Sequence, residues 1–148
     1  MDDTWFYLPS EKEERLVTVL TKEDEEWVNF SHPAYNGNYP VKGAGTFYSG
    51  GSGMCSTAED YAKFLQMYLN EGEYIGTRIL SRTTVKSIML NQMVDLWEGR
   101  DSHYGLAFGV LNERGEAKGG NGSAGTFNWG VILILSILPM LKSSLSVF

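Results

Sequence analysis

The stretch CSTAEDYAKFLQMYLNEGEY, residues 55–74, decides the fold because it specifies a helix with one strongly apolar face. Ser56 followed three residues later by Glu59 is a capping-box pattern, which marks a helix start. Apolar side chains then recur at three- and four-residue spacing until Gly72 ends the pattern. The spacing predicts a helix over about residues 57–70, and its apolar face, which needs a partner surface, comprises Ala58, Tyr61, Phe64, Leu65, Tyr68 and Leu69.

A second, shorter helix is predicted downstream. Ser81 is a suitable N-cap, and Val85, Ile88 and Met89 follow it at helical spacing. This pattern predicts a helix over about residues 82–91. Because such a short helix is marginal in water, packing must sustain it.

Strands are predicted after the second helix. YGLAFGVLNERG, residues 104–115, indicates a buried strand over 104–112 that leads into a polar turn at 112–115. Residues 126–138 predict a following strand that pairs with it. Helices followed by antiparallel strands indicate an α+β protein, a layered α/β sandwich in which helices pack against an antiparallel sheet edge.

The first 50 residues carry three of the four prolines and many turn residues. Only RLVTVL, residues 15–20, alternates well enough to predict a strand. The rest of this region is expected to be irregular and to lie on the surface.

Charge and composition exclude some functions. The net charge is −6, and the 12 basic residues are dispersed, whereas nucleic-acid binding needs clustered Lys and Arg. We therefore expect no nucleic-acid partner. Acidic residues concentrate in the first quarter of the chain, where a solvated acidic face is favoured over an acidic docking surface.

Neither the single cysteine nor the two histidines suggests a reactive or metal-binding group. Cys55 has no basic neighbour in sequence to lower its pKa, which favours a packed, inert thiol over a nucleophile. His32 and His103 lie far apart and outside helical spacing of carboxylates, so each is interpreted as a hydrogen-bonding loop residue. We expect no metal site and no cofactor.

Two glycine-rich stretches could suggest a phosphate-binding loop. Residues 119–125 lack both the Gly-Lys-Ser/Thr ending and a following helix. GTFYSGGSGMCST, residues 45–57, does run into a helix start, but it also lacks a lysine. A tight backbone turn before the helix is favoured there over nucleotide binding.

No serine has the sequence context of an activated nucleophile. A nucleophilic serine needs a neighbouring base, yet none here has a lysine three positions later. The Gly-x-Ser-x-Gly pattern fails at Ser123, where Asn121 stands in place of the first glycine. It also fails at Ser52, where Met54 stands in place of the last glycine. Tyr68 begins a Tyr-x-Asn triplet but belongs to the apolar helix face, so core packing is favoured over catalysis. The catalytic residue prediction is therefore none.

Several stretches together resemble one enzyme family. GGSGMCSTAEDYAKFLQMYLNEGEYIGTRILS at 50–81, YGLAFGV at 104–110 and GSAGTFNWG at 122–130 are similar to the serine β-lactamase family in its broad sense. That family includes class C β-lactamases, penicillin-binding proteins and related esterases, and MDDTWFYLP at 1–9 also resembles it. The resemblance implies the C-terminal portion of a β-lactamase/transpeptidase-like fold over about residues 1–130.

The resemblance also implies a chemistry and a site. Such enzymes form an acyl-enzyme on a Ser-x-x-Lys serine, aided by a tyrosine, while a third motif on a strand edge lines the cleft. The motif is Lys-Thr-Gly in lactamases and Trp-Gly-Gly in an esterase branch; Trp129 and Gly130 match the latter, and Val131 replaces its last glycine. The implied cleft-lining residues are Gly125, Thr126, Trp129 and Gly130.

Departures from the family limit the expected activity. Ser-x-x-Lys and the catalytic tyrosine are absent from this sequence, and would precede residue 1. VILILSILPMLKSSLSVF, residues 131–148, does not match the family strand and is interpreted as an aberrant apolar tail from a shifted or misjoined reading frame. The implied function is a fragment of a hydrolase for small-molecule esters or β-lactams, inactive alone.

Alternatives from other classes stay open. The chain could be a non-catalytic interaction module or half of a split enzyme, self-associating through an apolar face exposed on the 57–70 helix and the strand edge after 126. The apolar run over residues 131–141 is interrupted by Pro139 and followed by Lys142, and it is much shorter than the roughly 20 residues of a membrane span, which disfavours membrane anchoring. Residues alone do not indicate a compartment.

Overall fold

A computed structural model describes residues 1–31, 33, 37–43, 45–50, 53–97, 99–119 and 122–129, with backbone alone at 95, 97, 137–138 and 146–147. His32, Gly51 and Ser52 lie outside the described residues. The chain divides into two compact units, Met1–Tyr61 and Ala62–Phe148. Helices and antiparallel strand pairs occur in both units, as expected of an α+β protein.

The first unit contains a 3-10 helix, Ser10–Arg15, and a hairpin of β1 (Leu20–Glu23) and β2 (Glu26–Asn29). The prediction of a strand over residues 15–20 is wrong, since the strand begins where that range ends. The reason is the two-residue turn at 24–25, where both residues have positive φ. That turn sets Glu23 opposite Glu26, and the pairing extends from there only to Leu20 opposite Asn29.

Helix α1 (Tyr39–Lys42) is tied to the N-terminal segment by tyrosine hydroxyls. The hydroxyls of Tyr7 and Tyr39 lie 2.8 Å apart, and both donate to the carbonyl of Phe47. Outside the helices and the hairpin, the described part of residues 1–50 has little regular structure, as expected.

Helix α2 (Ala58–Leu69) confirms the helix predicted over 57–70. Its cap, however, is not Ser56. The Thr57 hydroxyl oxygen accepts the backbone N–H of Asp60 at 3.2 Å, whereas the Ser56 hydroxyl pairs with that of Thr4 at 2.7 Å. The N-cap oxygen must face the amides of the first turn, and the tertiary contact of Ser56 leaves that position to Thr57.

The second unit continues with a small hairpin and a further helix. Strands β3 (Glu73–Tyr74) and β4 (Thr77–Arg78) pair across a tight turn. Helix α3 (Arg82–Met89) confirms the second predicted helix and ends two residues before the expected 91. Its N-cap is Ser81, whose hydroxyl accepts the Thr84 N–H at 3.0 Å. A 3-10 helix, Val94–Trp97, follows.

The main sheet of the second unit has three antiparallel strands in the order β5 (Ser102–Tyr104), β6 (Gly109–Leu111), β7 (Phe127–Asn128). The prediction of one strand over 104–112 is therefore wrong. The chain reverses at residues 105–108, where Gly105 N–H donates to the carbonyl of Phe108. The result is a hairpin in which β6 carries the buried Val110, whereas the three residues of β5 are half-buried.

Two further predictions in this region need correction or lie partly outside the described residues. The predicted polar turn at 112–115 is instead the cap and start of a short helix, α4 (Glu113–Ala117). The Asn112 side chain accepts the Gly115 N–H at 3.0 Å, as an N-cap does.

Of the strand predicted over 126–138, β7 and β8 (Ile137–Leu138) are seen, and residues 130–136 lie outside the described part. Strand β8 pairs with β9 (Ser146–Val147).

Aromatic rings join α2 to this sheet in the core of the second unit. Tyr68 on α2 stacks edge-on against Phe108, with ring centroids 5.2 Å apart, and Phe127 lies 4.9 Å from Phe108. Leu65 and Met67 are buried with them. Of the predicted apolar face of the 57–70 helix, Leu65 and Tyr68 are buried, Tyr61, Phe64 and Leu69 are partly exposed, and Ala58 is exposed. Tyr68 is a core residue, as predicted.

Candidate functional site

The β5–β6 turn is held against the end of α3 by the backbone. The N–H of Leu106 donates to the carbonyl of Ile88 at 2.9 Å. Gly105 approaches so closely that a Cβ on it would lie 1.9 Å from the same oxygen. Only glycine permits this approach, and it leaves the side chain of Leu106 facing solvent, 68% exposed.

Trp129 follows strand β7 and lies beside that turn. Asn128, the last residue of β7, pairs with Gly109, so Trp129 lies at the turn end of the hairpin. There the Trp129 indole packs edge-on against the Tyr104 ring, with centroids 5.8 Å apart. Trp129 stays 49% exposed. An aromatic pair of this geometry forms a firm wall that still offers apolar surface to a ligand.

Tyr104 and Trp129 border an open cavity of about 400 Å³. Its remaining lining residues are Met93, Gly105, Leu106 and Ala107. None of these six side chains carries a formal charge at neutral pH. A cavity of this size and lining suits a small, mainly apolar molecule.

The four residues implied by the resemblance lie in different environments. Trp129 lines the cavity just described. Gly125 lines a second cavity of about 430 Å³ together with His103. Thr126 is only 1% exposed, and its hydroxyl has no hydrogen-bond partner among the described residues. Gly130 lies outside the described residues.

Sequence reasoning did not identify Met93, Tyr104, Leu106 and Ala107 as lining residues. Three of them belong to YGLAFGV, which carried part of the family resemblance but was interpreted as one strand. The available signal was the pair Gly105 and Gly109 flanking LAF, since two glycines four residues apart suit a hairpin turn.

His103 is positioned by a hydrogen bond to the backbone. It lies on β5 instead of in a loop, and its Nε2–H donates to the carbonyl of Met89 at 3.0 Å. Thus the hydrogen-bonding role is confirmed and the loop placement is corrected. Among the described residues, no group of three or more His, Cys, Asp or Glu side chains could hold a metal ion.

Cys55 has the environment of a packed thiol. Its backbone exchanges hydrogen bonds with Trp5, and its S–H donates to the Trp5 carbonyl at 3.4 Å. Burial raises the pKa of the Cys55 thiol, which disfavours the thiolate. This agrees with the predicted inert role.

The hydroxyls of Ser56 and Ser81 face other hydroxyls, which are weak bases. The Ser56 hydroxyl contacts the Thr4 hydroxyl, and the Ser81 hydroxyl contacts those of Thr83 and Thr84. An activated serine needs an amine, imidazole or carboxylate positioned to take its proton. Threonine hydroxyls do not supply that function, and the exposed Ser10 hydroxyl lies 3.5 Å from the Glu11 carboxylate, at the long limit of a hydrogen bond.

Comparison with known proteins identifies the family. Residues 1–133 match the sequence profile described as Beta-lactamase, which is most of the chain. The chain belongs to the Beta-lactamase family. The resemblance inferred from the sequence motifs is thereby confirmed, and with it a serine-hydrolase-like family.

Two relatives come from Mycobacterium tuberculosis: "Uncharacterized protein MT1414" of strain CDC 1551 / Oshkosh and "Protein Rv1367c" of strain ATCC 25618 / H37Rv. Each is 28% identical over 142 residues, covering 87% of this chain and 34% of the relative. The chain thus spans about a third of the length of these relatives. Their names assign no activity.

A solved structure shows the same fold. It is described as "EstCE1, a hydrolase with promiscuous acyltransferase activity", and it superposes with a TM-score of 0.70 at 19% sequence identity. The match covers 92% of this chain and 38% of the other. The predicted α+β, β-lactamase-like fold is confirmed. No helix among the described residues is long and apolar enough to cross a membrane.

Proposed function

We propose that this chain forms one wall of the substrate cleft of a serine hydrolase that acts on small esters or β-lactams. The observation that carries the proposal is the position of Trp129, at the end of edge strand β7 and beside an open cavity. The corresponding motif lines the cleft in the family. Trp129 and Gly130 resemble the esterase form of that motif, which favours esters over β-lactams.

The proposed reaction proceeds through an acyl-enzyme. A serine hydroxyl attacks the substrate carbonyl and gives its proton to a base; the ester alcohol, or the ring nitrogen of a β-lactam, leaves the carbonyl carbon with a proton. Water then attacks the acyl carbon, releases the acid and restores the serine. We propose that the nucleophile lies on a Ser-x-x-Lys segment outside these 148 residues.

The chain alone is therefore expected to be inactive. The Ser56 and Ser81 hydroxyls contact threonine hydroxyls, which do not activate a nucleophile. Purified chain should hydrolyse neither 4-nitrophenyl acetate nor a chromogenic cephalosporin above a heat-denatured control. A fluorophosphonate adduct on any of its serines, detected by intact-mass spectrometry, would contradict the proposal.

Complementation provides the positive test. The chain would be co-expressed with the Ser-x-x-Lys-bearing segment of a full-length family member, and esterase activity measured on the purified complex. Activity that depends on both polypeptides is expected. The matched control replaces the Ser-x-x-Lys serine with alanine and should be inactive. A complex that forms but hydrolyses neither 4-nitrophenyl acetate nor the chromogenic cephalosporin would contradict the proposed function.

A second candidate function is a docking module, favoured by apolar side chains on the β1–β2 hairpin. The register places Leu20 and Trp27 on one face, where Trp27 is 69% exposed. We propose self-association through this face. Sedimentation velocity should show a concentration-dependent oligomer that Trp27→Ser abolishes, with Thr21→Ser on the opposite face as control. A monomer at all concentrations would exclude it.

A further inference from the structure

We propose that the cavity beside Trp129 binds the uncharged hydrocarbon part of an ester substrate, and that Leu106 helps to determine this specificity. The inference rests on the proposed function, because it names the substrate class of the same cleft. It separates esters of uncharged groups from β-lactams, whose ring system carries a carboxylate.

The lining residues provide apolar contacts from three directions. Met93 precedes the 3-10 helix, Leu106 and Ala107 form the hairpin turn, and Trp129 follows β7. Methionine adapts to irregular shapes, whereas an aromatic ring provides a rigid surface. The combination favours an alkyl or aryl group without demanding one exact shape.

Leu106 is the residue most clearly available to a ligand. Its backbone is fixed by the hydrogen bond to Ile88, while its side chain is 68% exposed and lines the cavity. A large aliphatic side chain held in this way contributes little to the core. It gains burial when an apolar ligand covers it.

Charge discriminates against a carboxylate. Among the described residues, none that lines the cavity is a Lys or Arg that could pair with a bound anion. Recognition of a carboxylate normally uses a charge-assisted hydrogen bond from such a side chain. Removing an unpaired carboxylate from water costs far more than removing an alkyl chain. The cavity should therefore favour the neutral member of a matched ligand pair.

Size is compatible with this assignment. The cavity volume of about 400 Å³ falls in the range of small-molecule sites. A butyl chain joined to a nitrophenyl ring is a reasonable probe, because both parts are apolar and the ring absorbs light. An ether in place of the ester prevents hydrolysis and isolates binding from chemistry.

The experiment uses the purified 148-residue chain and equilibrium dialysis read by nitrophenyl absorbance. The probes are 4-nitrophenyl butyl ether and 4-(4-nitrophenoxy)butanoate. They differ only at the end of the chain, which is a methyl group in the ether and a carboxylate in the butanoate. The neutral ether should bind at least about tenfold more tightly. Equal binding, or tighter binding of the carboxylate, would overturn the inference.

Variants locate the binding site. Leu106→Ser should weaken ether binding by about fivefold, because it removes apolar contact area from the ligand. The matched control is Leu96→Ser: Leu96 is 81% exposed but does not line the cavity. Equal effects of the two variants would contradict the assignment. Both positions are exposed, so circular dichroism should show that the variants fold as the parent does.

The two proposals fail separately. If the complemented enzyme hydrolyses esters while the ether does not bind with the expected preference, only the specificity inference falls. If the ether binds at this cavity but the complex of the two polypeptides has no activity, the proposed function falls.

Discussion

At the scale of single residues, the site implied by the family resemblance contains both buried and exposed side chains. Thr126 is held inside the sheet, whereas Trp129, three residues later, keeps half of its surface exposed. The hydroxyl of Thr126 is buried without a partner among the described residues, which costs free energy. Trp129 instead meets a cavity and an aromatic neighbour. Of these two residues, only Trp129 lines the cavity.

Asp3 provides a residue-scale prediction about pH. Hydrogen bonds from Arg15 and, second, from Lys12 lower the pKa of the Asp3 carboxyl from 3.8 to about 2. A carboxyl with a depressed folded-state pKa stabilises the protein above the unfolded value, and this contribution is lost as the pH falls from about 4 to 2. Asp3→Asn should therefore lower Tm at pH 7 and leave it nearly unchanged at pH 2.

Differential scanning calorimetry between pH 2 and pH 7 measures this effect. Asp2→Asn is the matched control, since it removes the same charge from an exposed neighbour. Screening keeps the effect at Asp3 modest, because its ion pairs are solvent-accessible. A Tm difference that persists unchanged at pH 2 would show that the ion pairs are not responsible.

At the scale of elements, the local sequence pattern predicted the position of α2 more accurately than its N-cap. The spacing of apolar residues predicted α2 and α3 closely, because one face of each packs inward. The cap of α2 was displaced by one residue because Ser56 bonds to Thr4, which is 52 positions away. Adjacent threonine and serine residues are equivalent in local sequence, so a tertiary contact decides between them.

The displaced cap yields an element-scale prediction. Thr57→Ala should destabilise the protein by about 1 kcal/mol, because the Asp60 N–H loses its acceptor. Ser56→Ala should cost less than about 0.5 kcal/mol, since its bond to Thr4 is solvent-exposed. Urea denaturation of both variants compares the two. A larger loss at Ser56 would restore the cap predicted from the sequence.

At the scale of the whole molecule, family and fold agree. The profile match covers residues 1–133, and the superposition with EstCE1 covers most of the chain. Within the second unit, the aromatic cluster of Tyr68, Phe108 and Phe127 connects α2 with β6 and β7. Strands β5, β6 and β7 also place Tyr104 beside Trp129, so the cluster stabilises the sheet that positions this aromatic pair.

This dependence gives a prediction for the folded unit. Phe127→Ala should destabilise it by about 3–5 kcal/mol, because it removes a fully buried ring and leaves a cavity. Phe127→Leu should cost less, since most of the volume is kept. Phe47→Ala is the control, as that ring is exposed. Equal unfolding midpoints in urea for Phe127→Ala and Phe47→Ala would contradict the proposed core.

The sequence by itself determined helices α2 and α3 and the family, because these depend on short-range spacing and on the order of the motifs. Tertiary structure decided the cap of α2, the division of 104–112 into a hairpin and the burial of Leu65 and Tyr68 on α2. It also decided which motif residues meet the cavity. The reason is that each of these depends on partners far away in the chain: Thr4 for Ser56, Ile88 for Gly105 and Tyr104 for Trp129.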